Sequence, residues 1–194
     1  MAQQREISVP GYGALKPLQQ GALDRLCGLY CIINAVALAA YPLQPLQPRQ
    51  RRLLFDEGIR FLGRRRRLEL ASLDGMNERL WMHLRDHLLT TLGPIGGAQS
   101  KAVSIYPRGR PDCVDSALAG LFKTIDAGAP VLTLLWGVYN HWTVVAGYTP
   151  SKLLLFDSGG LQWVNIRSIG LRHPRHKGRH KLTWRSSAGI VFEV

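Results

Sequence analysis

Three successive stretches decide the fold class: Val131-Leu-Thr-Leu-Leu-Trp136, then Asn140-His141-Trp142-Thr-Val-Val-Ala-Gly-Tyr148, then Leu153-Leu-Leu-Phe156-Asp157 behind the turn Thr149-Pro-Ser-Lys152. The first is a short apolar run, the second is rich in β-branched residues, and the third runs back after a turn. They read as consecutive strands folded onto one another. Leu161–Ile166 and Gly189–Val194 read as two further strands. Upstream, the pattern is helical. Asp24 to Ala40 is apolar nearly all round, the mark of a buried helix, with Asp24 as its expected N-cap. Pro42-Leu-Gln-Pro-Leu-Gln-Pro48 reads as a short biased connector that cannot be helix interior. Arg51–Leu62 predicts a helix stopping at Gly63. Ser72 or Asp74 is expected to cap another, with Met76, Leu80, Leu84 and Leu88 along one face, Trp81 beside them, and Gly93-Pro-Ile-Gly-Gly97 ending it. Asp112, with Asp115 three residues on, opens a third helix, whose stripe is Val114, Leu118, Leu121, Phe122 and Ile125 and whose stop is Gly128. Helices in the first two-thirds and consecutive strands in the last predict α+β with an antiparallel sheet, not a doubly wound parallel one.

The chain of 194 residues suits one domain, residues 1–194. A hydrophobic content of 46% excludes an intrinsically disordered chain and a collagen-like fibre. Cys27, Cys31 and Cys113 are too few, and odd in number, for a disulfide framework, and fit a reducing compartment. Met1 to Ala14 holds no apolar run, so we expect no signal peptide. No apolar stretch approaches the roughly 20 residues of a transmembrane span. We expect a cytoplasmic protein, with signal-independent export leaving no mark. The 25 Lys and Arg against 13 Asp and Glu, net +12, first suggest a nucleic acid or an acidic surface as partner.

Three places carry chemistry. Cys27 opens the buried helix, where the positive end of the helix dipole favours a thiolate. Gln20, seven residues upstream, can curl back so that its side-chain amide and the Cys27 backbone N–H form an oxyanion hole; its neighbour Gln19 is a rival. His141 stands at the mouth of one strand and Asp157 at the end of the next. A turn centred near Pro150 brings these two to the same open end of a hairpin. There the carboxylate can hold the imidazole in one tautomer, completing a Cys-His-Asp triad.

The order Gln20, Cys27, His141, Asp157 resembles the papain-like cysteine peptidase superfamily. The Cys27-Gly28-Leu-Tyr-Cys31 segment, and His141-Trp142 with its β-branched run, Gly147-Tyr148 and the Asp157 turn, look most like the bacterial double-glycine leader peptidases and their stand-alone relatives. The likeness covers residues 20–36 and 140–160. It implies a papain-like fold, with an N-terminal helical part whose nucleophile helix packs on the C-terminal sheet. It further implies Cys27 as nucleophile, Gln20 as oxyanion donor, His141 as base and Asp157 as its orienter. Where those peptidases carry Asp directly before the cysteine, this chain has Leu26, with Asp24 three back. Their transporter domains are absent from this sequence.

The expected function is hydrolysis of peptide or isopeptide bonds, without cofactor or metal. Two alternatives stand beside it. One uses the same triad for deamidation or transglutamination of a protein glutamine; the other is a basic adaptor, indifferent to Cys27, that binds nucleic acid or an acidic protein. Cys31 is expected in the core. His83 and His87, without a Glu directly after His83, are expected on a solvated face rather than at a metal. Gly96-Gly97 reads as a loop. The basic tracts, Arg64–Arg67 and Arg172–Lys181, are expected to be a solvated face and a loop between strands, or docking features for an acidic partner such as a peptide or protein substrate, an anionic membrane face or, more weakly, a nucleic acid. No aromatic interrupts the second tract.

Overall fold

The computed structural model describes residues 6–107, 109–172 and 178–193. The fold is α+β. The helices are α1 (Cys27–Ala40), α2 (Pro48–Arg64), α3 (Leu68–Asp74), α4 (Glu78–Thr91) and α5 (Val114–Asp126). The strands are β1 (Ile7–Ser8), β2 (Gln99–Ser104), β3 (Val131–Gly137), β4 (His141–Tyr148), β5 (Lys152–Leu155), β6 (Trp163–Asn165), β7 (Ile169–Leu171), β8 (His180–Leu182) and β9 (Ala188–Glu193). The main path of the sheet runs β2-β9-β3-β4-β5-β6. Every pairing is antiparallel except β7 with β8.

The sheet departs from the sequence expectation in membership. β1 and β2 come from the helical part of the chain, and β9 inserts between β2 and β3. Gln99–Ser104 escapes a pattern reading because it is polar and alternately exposed, as an edge strand with a single neighbour can be. The β4–β5 hairpin forms where expected. Thr149 Oγ1 accepts the Ser151 and Lys152 N–H groups to close its turn. The register shifts between Val145 and Gly147, where β1 comes alongside; a Cβ on Gly147 would lie 2.5 Å from the Ile7 carbonyl oxygen.

Helix starts correct three assignments. α1 begins at Cys27, not after Asp24; Asp24 instead accepts the Leu26 and Gly21 N–H groups and shapes the approach. Ser72 and Asp74 lie within α3, and Asn77 caps α4 through the Leu80 N–H. The capping box of α5 is made by Cys113 and Ser116 in place of Asp112 and Asp115. α1 is buried along nearly its whole length, against the sheet on one side and α2 and α4 on the other. That is why its sequence is apolar all round. Cys31 lies in this core, and burial pushes its thiol well up.

Candidate functional site

The cleft opens at the N-terminal end of α1. Cys27 is the first residue of that helix and is buried at 8% exposure. The first N–H groups of a helix have no intrahelical acceptor, so those of Cys27 and Gly28 point out of the helix end. His141 begins β4 and pairs across to Leu135 of β3. Asp157 follows β5, and the Phe156 N–H donates to the Val144 carbonyl at 2.9 Å, carrying the hairpin pairing to its open end. The hairpin, its β4 arm lengthened by the bulge between Val145 and Gly147, brings two residues sixteen apart to one place: His141 Nε2 lies 2.8 Å from Asp157 Oδ2. The approach is close but bent away from the ring N–H direction. The other carboxylate oxygen, Oδ1, accepts the Gly159 and Leu161 N–H groups at 2.7 and 3.2 Å, so the Asp-Ser-Gly-Gly turn fixes the orienting carboxylate. Gly159 packs closely on this pair: a Cβ there would press on Asp157 Oδ1 at 3.2 Å and lie 3.4 Å from His141 Cε1.

The electrostatics couple the three groups. Burial pushes His141 down, but hydrogen bonding of the protonated ring to Asp157 and Cys27, with their negative charge, more than reverses this, raising it to about 10. Burial likewise pushes the Asp157 carboxyl up, and the hydrogen bond and charge of His141 bring it below its ordinary value. With Nε2 turned to Asp157, Nδ1 is the ring nitrogen left for the thiol.

Of the two glutamines, only Gln20 lines the same cavity as Cys27 and His141, a space of about 490 Å³. Its backbone N–H donates to the Ser158 carbonyl at 3.0 Å, tying its loop to the Asp157 turn. Its side-chain amide donates to the Asp24 carbonyl at 3.4 Å, and the second amide hydrogen remains for another acceptor. Gln19 donates to the Asp157 carbonyl and lines a different cavity. The walls of the Cys27 cleft include Asp74, Met76, Trp136 and Tyr139, none of which the sequence reading singled out as site residues. The exposed aromatics of the β3–β4 turn, in Trp136-Gly-Val-Tyr139, were the available signal.

A tryptophan pair locks the two halves of the site together. Trp142, next to His141, stacks on Trp81 with ring centroids 3.9 Å apart. The Trp81 indole N–H donates to the Gly28 carbonyl at 3.0 Å, and that of Trp142 to the Met76 carbonyl at 3.3 Å. The periodicity of α4 shows Trp81 as a core residue; its link to the nucleophile helix is a tertiary fact.

Elsewhere, His83 is exposed as expected, but His87 is half-buried. It stacks on Phe61 and places Nε2 2.9 Å from Glu57, so α2 rather than solvent receives it. Among the described residues no group of three or more His, Cys, Asp or Glu side chains is placed to hold a metal ion, and no helix is long and apolar enough to cross a membrane. Gly96 and Gly97 both adopt positive φ in a tight loop closed by an Ile95–Ala98 bridge. Arg64 ends α2 and pairs with Glu57, while Arg65 lies over Phe61. Residues 173–177 of the second basic tract lie outside the described residues. No family model, curated protein or solved structure matches the chain.

Proposed function

We propose that this chain is a thiol hydrolase of papain-like architecture that cleaves peptide or isopeptide bonds. The observation that carries this reading is the placement of His141 between Asp157, at 2.8 Å, and Cys27 at a helix N-terminus in an open cleft. In the reaction, Cys27 and His141 share one proton, which rests on His141 as the imidazolium while the Cys27 thiolate attacks the substrate carbonyl carbon. The carbonyl electron pair moves onto oxygen, where the Cys27 N–H and the Gln20 amide stabilise it. Collapse of this intermediate breaks the C–N bond. His141 gives its proton to the leaving amine, and a thioester remains on Cys27. A water molecule, deprotonated by His141, then attacks the thioester and releases the acid and the thiol. Asp157 keeps the imidazole oriented and its cationic form stable throughout.

The test is labelling and turnover. Iodoacetamide at low dose should alkylate Cys27 ahead of buried Cys31 and exposed Cys113. Cys27→Ala should abolish that labelling together with all hydrolysis. Labelling that persists in Cys27→Ala and is lost on changing Cys113 would refute the assignment. Proteins captured on Cys27→Ala and then treated with active enzyme define the bond attacked. New N-termini or released isopeptide partners support hydrolysis. A gain of about one dalton, or a new cross-link, would instead show the same thioester being formed from glutamine.

A further inference from the structure

A second cavity adjoins the cleft past Trp136. Arg172 lies across the Trp136 ring, its guanidinium carbon 4.5 Å from the centroid. The same Arg172 lines a space of about 300 Å³ with Glu78, Thr183, Trp184 and Arg185. There Arg172 pairs with the Glu78 carboxylate, so the spot already accommodates a carboxylate. Arg185 lies 5.3 Å over the Trp184 ring, is exposed, and pairs with no carboxylate among the described residues. β8 runs beside β3 with Lys181 opposite Trp136 and His180 opposite Gly137, which puts Arg179 and Lys181 at the same rim. Within this cavity two arginines stand against one acid, Glu78, while Asp24 and Asp74 line the neighbouring cleft.

Resting on the hydrolase reading, we propose that this second cavity is a specificity subsite for an acidic side chain of the peptide substrate. The substrate carboxylate bonds Arg185 and competes with Glu78 for Arg172. The planar guanidinium fork matches a carboxylate in two hydrogen bonds, and the flanking indoles hold the guanidinium planes in place. Both arginines lie over tryptophan faces, the surfaces on which nucleic-acid bases would stack, so a carboxylate fits this site better than an oligonucleotide. The excess of positive charge on the whole chain acts in the same direction.

The experiment measures fluorescence anisotropy of the full-length Cys27→Ala chain with short Gly-Ala host peptides in which a single Glu, Gln or Lys is walked along the sequence. Glu at one position should bind about tenfold tighter than Gln there, with Lys weakest, and the difference should shrink from about 0.05 M to about 0.5 M salt. Arg185→Glu should invert the order at that position, and Glu78→Gln should raise affinity for the Glu peptide about 2- to 5-fold by removing the internal competitor. Arg185 is exposed and pairs with no carboxylate among the described residues, so its reversal leaves the core intact if Arg172→Glu does not fold. Equal binding of Glu and Gln peptides, a preference that survives Arg185→Glu, or a single-stranded oligonucleotide that outcompetes the Glu peptide at equal salt would each overturn the subsite. Iodoacetamide labelling of the unmutated chain reads the hydrolase assignment separately: Cys27 labelled without a charge preference removes the subsite alone, and Cys27 unlabelled removes the hydrolase.

Discussion

His141 and Asp157 set the pH window of the site. His141 is raised above the ordinary imidazole value of 6.5, so its contribution to the folded state is complete below 6.5 and is lost as pH climbs through about 10. Asp157 is lowered from 3.8, so its contribution is present above 3.8 and is lost as pH falls through its native value. Between those limits the imidazolium–carboxylate pair is whole. In an NMR titration of the imidazole signals, His141 should titrate near 10 in the unchanged chain. Asp157→Asn removes the group whose hydrogen bond and charge raise it and should bring the midpoint down. An unchanged midpoint would separate Asp157 from the site. Gln20 and Gln19 divide at the same scale. Gln20→Ala should lower kcat about 100- to 1000-fold with little change in KM, the cost of one oxyanion donor. Gln19→Ala, in the other cavity, should leave kcat near its original value; equal losses for the two would deny Gln20 the role.

At the scale of elements, the site depends on how α1 meets α4 and, through the Trp81–Trp142 stack, β4, and Gly28 is a tight point of the α1–α4 contact. A Cβ there would lie 2.6 Å from Trp81 Cδ1 and 2.8 Å from Met76 Cε. Gly28→Ala should therefore destabilise the fold by about 1–3 kcal/mol in urea unfolding, since the stacked indoles have no room to yield. Trp81→Phe removes the indole edge that the new methyl strikes. The double variant should lose less than the two single losses combined, and strict additivity would deny the contact. Sequence reasoning reaches part of this. The buried character of α1, the β4–β5 hairpin and the approach of His141 to Asp157 at its open end follow from local pattern and the turn near Pro150; the bulge between Val145 and Gly147 does not. The stacking of Trp81 on Trp142 does not, because it joins residues sixty-one apart through side-chain packing alone. The cap positions Leu26, Asn77 and Cys113 were also hidden. Asp residues stand close by in each case, and the helix starts a few residues to the C-terminal side or at the neighbour, a shift that local pattern does not fix.

For the whole molecule, the order of strands matters more than their number. Helices first and strands last correctly give an α+β chain. Nothing local, however, says that β9 inserts between β3 and β2, since that placement is set by partners about sixty and ninety residues away. The insertion makes the last strand a central one. β9 holds β2 along all six of its residues, pairs with Val131 and Leu132 of β3, and donates the Ile190 N–H to the Pro130 carbonyl at 3.0 Å. Ile190 itself is fully buried. Deleting residues 188–194 should therefore do more than fray an end: it should free β2, expose the β3 edge and open the core above α1 to water. We expect the shortened chain to lose cooperative thermal unfolding and to aggregate, as read by circular dichroism and light scattering. Ile190→Ala, which keeps the strand and removes only its buried side chain, should unfold cooperatively with a loss of about 2–5 kcal/mol. A shortened chain that still unfolds in one sharp transition would mean that β2 and β3 are held by the helices beneath them, and that the sheet order contributes little to the cleft that Cys27 and His141 share.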